Sequence, residues 1–492
     1  MQRAYVHNSG GVRESLQLPA PREVALQPAS PERLIALLDP AQVAAVTAAM
    51  SRAPMALGGR TTINVNSTAA GGGVAEMLGS LLPYTLGAGV DTRWLVIDGD
   101  REFFAVTKRL HNHLHGVRGD GGALDGDART HYENVSAVNA AGLARSVQPD
   151  DIVILHDPQT AGMIPLLKAR GHSVVIWRCH VGVDEPNTLV RGAWDFLRPH
   201  VAAADAVIFS RAEYVWDGLA AERVAIIAPS IDPLAAKNSD MPADAVAAVL
   251  AAAGIQDGAS ASTGALFVRQ DGSAGAVTSR AELVEVSRLT PSTRVIAQVS
   301  RWDRLKDPVG VIDAFAGHVA PWSDAHLVVA GPAVGAVSDD PEGYAAYVEA
   351  RTAALAVARP ARERIHLATL PMNDLEENAI IVNALQRRAD VVVQKSLAEG
   401  FGLTVAEAMW KARPVVASRV GGIREQIEDG ASGSLVEPHD LGAFGSAVLG
   451  YLSDTARAER TGAAARERVR AHFLGSRHLL QYLDLLSSLL KE

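Results

Sequence analysis

The chain has 492 residues, with 46 Lys and Arg against 55 Asp and Glu for a formal net charge of −9, and a single cysteine, Cys179. The acidic balance excludes a general binder of nucleic acid or of anionic membranes, which carries a basic excess. One cysteine can make neither an intramolecular disulfide nor a thiolate metal cluster, and this length predicts two or three domains. An apolar content of 48% with 21% charged residues is an ordinary globular balance. No apolar run reaches the about 18 residues of a membrane span. The leading MQRAYVHNSGGVRESLQLPA has no apolar signal core. A soluble cytoplasmic protein is therefore expected.

The first fifty residues read as peripheral. Pro19, Pro21, Pro28 and Pro31 break the stretch, and ERLIALLDPAQVAAVTAAM predicts one or two short helices. From Thr61 the pattern changes. Short apolar runs appear at INVN (63–66), WLVID (94–98), DIVIL (151–155), SVVIW (173–177), AVIF (206–209) and VAIIA (224–228). Runs this short, rich in Val and Ile and bounded by Gly, Asp or Pro, predict strands buried on both faces. Amphipathic stretches such as VAEMLGSLLPYTL and REFFAVTKRLHNHLHG separate them. Residues 236–290 interrupt the rhythm with one helical stretch, MPADAVAAVLAAAGI, and a Gly/Ala/Ser-rich segment that reads as a loop with one short strand or hairpin. The alternation resumes with RVIAQVS (294–300), HLVVAG (326–331), RIHLAT (364–369), DVVVQ (390–394), RPVVAS (413–418) and SLVEP (434–438), and two helices close the chain. The fold class expected is α/β, two Rossmann-like doubly wound parallel sheets facing a cleft. Such sheets bind ligands beyond the carboxyl ends of their strands.

Four places carry chemistry. Gly71, Gly72 and Gly73 follow the strand INVN and open a helix, where glycines let backbone N–H groups approach an anion. The spacing is not the dinucleotide fingerprint, and a plain strand-to-helix turn is the competing reading. In SRWDRLKDP (300–308), Arg301 and Lys306 can converge on a diphosphate from one loop, whereas two solvated cations is the bland alternative. The richest stretch is KSLAEGFGLTVAEAM (395–409). On one continuous helix Glu399 and Glu407 would stand about 12 Å apart along the axis. Gly400 and Gly402 instead place Glu399 in a loop and Glu407 in the first turns of a helix that starts near Thr404. The N–H groups of Gly402, Leu403 and Thr404 then form a positive helix end suited to phosphate, and Glu407 can accept from paired sugar hydroxyls. A glycosidase-type acid/base pair is the rival, and it leaves the anion-binding helix end unexplained. The fourth set is His111, His113 and His115, the stretch His156, Asp157 and Gln159, and the stretch Trp177, Arg178, Cys179 and His180. No zinc spacing such as HExxH occurs. Cys179 is read as a buried apolar residue rather than an activated thiol.

The stretch EGFGLTVAEAMWKARPVVASRVGGIREQIEDG resembles the donor-binding region of retaining glycosyltransferases of family four, with the E-x7-E pattern on Glu399 and Glu407. NSTAAGGGVAEML, RWLVIDGDREFFAVTKRLHN, LHDPQTAGMI, VIWRCHVGVDEPN, PSIDPLAAKN, VSRWDRLKDP and DDPEGY extend the resemblance to the trehalose synthases of the glycosyltransferring type and the related trehalose phosphorylases. The likeness runs from about residue 33 to the C-terminus, apart from 240–290. It implies a GT-B fold divided as follows: residues 1–235 the acceptor-side domain, with 1–50 peripheral; 236–290 a linker or insertion; 291–474 the donor-binding domain; and 475–492 a C-terminal helix packing back on the first domain.

The resemblance also implies the site. Arg301 and Lys306 contact phosphate, with Gly71, Gly72 and Gly73 opposite them. Glu399, Gly400, Phe401, Gly402, Leu403 and Thr404 hold the transferred sugar and phosphates. Glu407 takes the ribose. His180 stands near the reaction centre, with Asp157, Gln159 and Arg178 on the acceptor side. Arg301, Lys306, Glu399 and His180 form the catalytic set. Asp307 stands where relatives commonly have glycine, and either alters phosphate affinity or caps the next helix.

The activity implied is glucose transfer from ADP-, UDP- or GDP-glucose to glucose, giving trehalose. No cofactor or metal ligand is required, Mg2+ is at most accessory, and the partners are a nucleotide sugar and a small sugar, with a homodimer left open. Phosphorolysis of trehalose and a non-catalytic nucleotide-sugar sensor are the alternatives.

Overall fold

The computed structural model describes residues 21–38, 40–69, 72–171, 174–258, 265–333 and 342–491. Gly71, residues 259–264 of the Gly/Ala/Ser-rich segment and 334–341, which include the start of DDPEGY, lie outside the described residues.

Seven strands build the first sheet: β1 (Arg22–Val24), β2 (Thr62–Asn66), β3 (Thr92–Val96), β4 (Ile152–His156), β5 (Val174–Cys179), β6 (Ala206–Phe209) and β7 (Val224–Ile226). Their spatial order is β1-β3-β2-β4-β5-β6-β7. A short hairpin follows, β8 (Leu266–Val268) with β9 (Ala274–Ala276). The second seven-stranded sheet contains β10 (Glu282–Val284), β11 (Val295–Val299), β12 (His326–Pro332), β13 (Ile365–Leu370), β14 (Val391–Gln394), β15 (Val415–Ser418) and β16 (Ser434–Val436). Its order is β10-β13-β12-β11-β14-β15-β16. Every apolar run singled out above overlaps a parallel strand. Each sheet also gains one short antiparallel edge strand, β1 against β3 and β10 against β13. Three-residue edge strands with mixed exposure carry almost no periodic signal, which is why the sequence hides them.

Burial on both faces accounts for the continuous apolar runs. In the first sheet, Ile63, Val65, Val153, Leu155 and Trp177 point into one core, and Ile152, Ile154, Val174 and Ile176 into another. In the second sheet, Val295, Ala297 and Val392 face one layer while Ile296, Val391 and Val393 face the other. Residues 236–290 hold the predicted helix, Ala243–Ala252, whose Val249 and Leu250 join the core of the second sheet, and they end in β10 of that same sheet.

The chain passes between the lobes twice. The outgoing segment and the returning one meet where Ile231 N–H donates to Phe473 O at 2.9 Å and Gly475 N–H donates to Ile231 O at 3.1 Å. After this crossing the helix Gly475–Leu489 lies on the first sheet, with Leu486 in its core beside Leu57, Ile154 and Ile176. Among the described residues, no helix is long and apolar enough to cross a membrane.

Leu486 is 5% exposed. Truncating a buried leucine removes its transfer energy and leaves a cavity, at a cost of about 2–5 kcal/mol. Leu486→Ala is therefore expected to lower the denaturant midpoint of the N-terminal lobe, read by circular dichroism against the wild type.

Candidate active site

The loops that leave the carboxyl ends of β2, β4 and β5 face those that leave β11 and β14. On the C-terminal lobe, two loops are laced into one platform. Gln298 Nε2 donates to Lys306 O at 2.9 Å, Lys395 N–H donates to Gln298 Oε1 at 3.0 Å, and Leu397 N–H donates to Leu305 O at 2.7 Å. The lacing brings Lys306 Nζ to 2.6 Å from Glu399 Oε2, which also accepts from Ser396 Oγ at 3.2 Å. Residues far apart in the sequence thus meet at one point.

Asp307 takes the left-handed conformation, φ 50° and ψ 51°. Its carboxylate accepts from Gly310 N–H at 3.0 Å, capping the helix Pro308–Ala314, and pairs with Lys395 Nζ. A left-handed position is where glycine is most at ease. The capping bond and the lysine give an aspartate reasons to occupy it, so of the two roles considered for Asp307 the capping one is visible.

Glu399 lies in the loop and Glu407 in the helix Leu403–Trp410, whose N-cap is Gly402 at φ 86° with no side-chain cap. The first-turn N–H groups are therefore not spent on a capping side chain. Across the seam, the helix Gly73–Gly87 follows an extended Gly72 and likewise has no side-chain cap. A Cβ on Gly73 would stand 3.2 Å from Leu403 Cδ1, so the two helix ends touch. Two uncapped N-termini facing one gap, with Lys306 beside it, concentrate positive potential there. Phe401 is not a surface residue. It is 5% exposed and its ring packs against Phe473 at 5.7 Å. Thr404 Oγ1 donates to Gln394 Oε1 at 3.1 Å.

Arg301 stands in a cluster with Lys108, His111, His115, Asp303 and Lys306. Lys108 and both histidines come from the helix Arg101–Leu114 and its C-cap, and Lys108 Nζ lies 3.8 Å from Asp303 Oδ2. Burial alone would raise Asp303, but Lys108, Lys306 and Arg301 hold its carboxyl below the usual carboxylate range. Burial, with help from Lys306, pushes His115 down to about 3. His115 is a neutral ring at physiological pH, buried, with no hydrogen-bond partner at Nδ1. The i, i+3, i+7 spacing of Lys108, His111 and His115 puts them on one helical face. That spacing is the signal that could have separated this pair from His113, which is lowered chiefly by burial and then by Arg109.

On the N-terminal lobe, His180 sits in a hydrogen-bonded file. His156 Nε2 lies 3.0 Å from Asn64 Oδ1, and His156 Nδ1 lies 3.0 Å from His180 Nε2. Burial drives both rings neutral, His156 down to about 3. A neutral ring has one N–H, so the file runs one way: His156 donates to Asn64, and His180 donates to His156. The remaining His180 nitrogen, Nδ1, faces Arg178 Nε at 3.4 Å. The His180 backbone carbonyl points at Gly400. A Cβ at position 400 would fall 2.7 Å from that oxygen, so the glycine is what lets the two lobes meet here.

Arg178 is fully buried, and its guanidinium is turned toward the C-terminal helix. It donates to Tyr482 Oη at 2.6 Å and to Ile227 O at 3.0 Å, and lies 3.3 Å from His478 Nε2. Asp157 has φ 62°, and its Oδ1 accepts from His180 N–H at 2.7 Å. Gln159 Oε1 is buried with no hydrogen-bond partner. Tyr214, which no local motif marks, donates from Oη to the carbonyls of Glu399 at 3.0 Å and Gly400 at 2.8 Å, pinning the loop 399–402 from the other lobe.

Comparison with known proteins places this geometry. Residues 64–216 match the family model described as trehalose synthase, N-terminal domain, and residues 279–468 match glycosyl transferases group 1. The chain is 35% identical over 433 residues to a trehalose synthase of Pyrococcus horikoshii, covering 88% of this chain and 91% of that one. It is 27% identical over 415 residues to a trehalose phosphorylase of Pleurotus pulmonarius, covering 79% of this chain and 51% of that one. A solved UDP-forming alpha,alpha-trehalose-phosphate synthase from Burkholderia xenovorans superposes with a TM-score of 0.63 at 19% identity, covering 87% of this chain and 98% of that one. The last likeness shows the fold, which is GT-B.

Burial raises the Asp157 carboxyl from 3.8 to about 7. The folded state thus binds more protons than the unfolded state between those values, and stability falls as pH rises through that window. Asp157→Asn keeps an oxygen for His180 N–H and removes the titration. Its stability is expected to vary less between pH 4 and pH 7 than that of the wild type, by urea denaturation.

Proposed function

The chain belongs to the trehalose synthase family of glycosyltransferases, and from that premise we propose that it moves glucose from a nucleotide-diphosphate glucose to free glucose, with retention at the anomeric carbon, to make trehalose. The observation that carries this reading is Lys306 held 2.6 Å from Glu399 beside two uncapped helix ends. That arrangement suits an anion bonded to a sugar. The ammonium and the N–H groups take the phosphate, and the carboxylate takes sugar hydroxyls.

Bond breaking at the anomeric carbon builds negative charge on the departing diphosphate. Arg301, Lys306 and the two helix ends stabilise that charge more in the transition state than in the ground state, which is what accelerates a reaction. The acceptor hydroxyl attacks from the face the phosphate leaves, and the phosphate takes its proton. Glu407 receives the donor ribose. Gly400, Phe401, Gly402, Leu403 and Thr404 carry the backbone that lines the donor, and Gly72 and Gly73 close on it from the other lobe. His180, Asp157 and Gln159 serve the acceptor side, and Arg178 acts through His180. In this reading residues 1–235 are the acceptor lobe, 291–474 the donor lobe and 475–492 a strap returning to the first. Contact between the lobes excludes water, which would otherwise hydrolyse the donor.

The likeness to trehalose phosphorylase supports a second reading, in which the same cations hold inorganic phosphate. Incubating trehalose with phosphate alone and assaying glucose 1-phosphate separates the two, because the synthase reading requires a nucleotide. A panel of ADP-, UDP- and GDP-glucose against glucose and other small acceptors, with mass detection, identifies the product.

Removing one preorganised charge partner of a transition state lowers turnover by about 100- to 1,000-fold. Lys306→Ala and Arg301→Ala are expected to lose at least that much kcat while keeping the wild-type circular dichroism spectrum. Near-normal turnover in both variants would remove them from the catalytic set.

A further inference from the structure

The segment that leaves the first lobe carries Lys237 into the seam. Its Nζ lies 2.8 Å from both carboxylate oxygens of Glu76, in the first turn of the helix Gly73–Gly87, and 3.3 Å from Glu407 Oε1 on the second lobe. One ammonium therefore bridges a carboxylate from each lobe. The segment itself is tied to the second lobe on both sides of Lys237. Asn383 Nδ2 donates to Ala236 O and to Ser239 O, each at 2.9 Å, and Lys411 Nζ donates to Asn238 Oδ1 at 3.1 Å.

Glu407 is 1% exposed, and its second oxygen, Oε2, is buried with no partner. A buried carboxylate with an open oxygen and a counter-ion on the other is a poor structural element, because leaving it unsatisfied costs free energy. It is a suitable receptor for a hydroxyl pair. The charged groups facing it are Lys237, Glu76 and Lys411. Burial and the neighbouring Glu76 carboxylate push Glu407 up to about 7 against the opposing pull of Lys237 and Lys411. Protonation turns one acceptor site of the carboxyl into a donor and removes the charge that strengthens its bonds to hydroxyls, so the lysine's place decides how well the receptor works.

Resting on the reading that Glu407 takes the donor ribose, we propose that Lys237 is the positioning residue for that recognition, holding the Glu407 carboxylate ionised and oriented while Glu76 fixes the lysine from the opposite lobe. Ribose recognition is then completed by both lobes together. The first turns of the two helices can approach closely enough for this because Gly73 has no side chain to meet Leu403.

Lys237→Met keeps the length of the side chain and removes its charge. The probes are ADP-, UDP- and GDP-glucose and the 2′-deoxyribose counterpart of each, with full-length enzyme and saturating glucose. The wild type is expected to favour its ribose donor over the deoxy form by about tenfold to a hundredfold in kcat/KM, the range of one hydrogen bond to a charged group. In Lys237→Met the ribose donor is expected to lose most of that factor through KM. The deoxy donor changes little, the ratio moves toward one, and Lys237→Arg recovers part of it. Lys237→Gln, which keeps a neutral donor at the same place, moves the ratio the same way by less, and serves if the methionine variant does not fold. A wild-type preference that survives unchanged in the folded Lys237 variants overturns the positioning role. Equal use of both donors by the wild type overturns the ribose assignment of Glu407 itself, and the proposal with it.

Discussion

The cleft rests on one electrostatic constraint: a lysine drawn out of water needs an anion or a full set of acceptors. Lys411 takes the second course, with Asn238 Oδ1, Gln386 Oε1 and the Glu407 carbonyl. Four other lysines in and behind the cleft each have a carboxylate. Lys306 has Glu399, Lys108 has Asp303, Lys395 has Asp307, and Lys237 has both Glu76 and Glu407. Ion pairs taken out of water often fail to repay the loss of hydration. Stability is thus a weak reason for assembling them here, whereas the phosphate site proposed above has a use for cations that are already desolvated and already placed. The helix ends after Gly72 and Gly402 add partial positive charge without adding anything that must be neutralised at rest.

The same seam shows why small residues sit where they do. At Gly400 a side chain would run into the His180 carbonyl, and at Gly421 into the Glu399 carbonyl and the Tyr214 hydroxyl. These glycines allow two backbones to touch. Tyr214 then bonds the carbonyls of the loop it meets, and Arg211 reaches from Asp184 on its own lobe to Glu425 on the other at 2.8 Å. The contact between lobes is polar and specific. It is of the kind expected of surfaces that separate and return, more than of a shared core.

Behind His180 the support is deeper than a single hydrogen bond. Neutral rings at positions 156 and 180 can each donate once, and Asn64 accepts the last proton, which leaves one tautomer for the file. Arg178 ties this file to Tyr482 and His478 on the helix that has crossed back from the C-terminal lobe. The last helix of the chain thereby stabilises the geometry of the first lobe's strand ends.

Much of the architecture was readable from local pattern. Buried parallel strands must be apolar on both faces, so β2, β4, β5, β11, β14 and β15 announce themselves as short Val/Ile runs, and the glycines of 400–402 mark where the loop after β14 turns into a helix. The edge strands β1 and β10 did not, because three half-exposed residues have no period. Nor did the partners. Lys237 with Glu407, Tyr214 with the Glu399 carbonyl, and Arg178 with Tyr482 are separated by 170, 185 and 304 residues. Nothing in the chain near one of them encodes the other. The sequence by itself determined the elements, the loops that carry charge and the family resemblance, since these depend on neighbours along the chain. Only the tertiary structure decided that Arg178 turns to the C-terminal helix, that His115 rather than His113 faces Lys306, and that one lysine spans both lobes. Those outcomes depend on how two sheets are docked, and docking is set by packing across the seam.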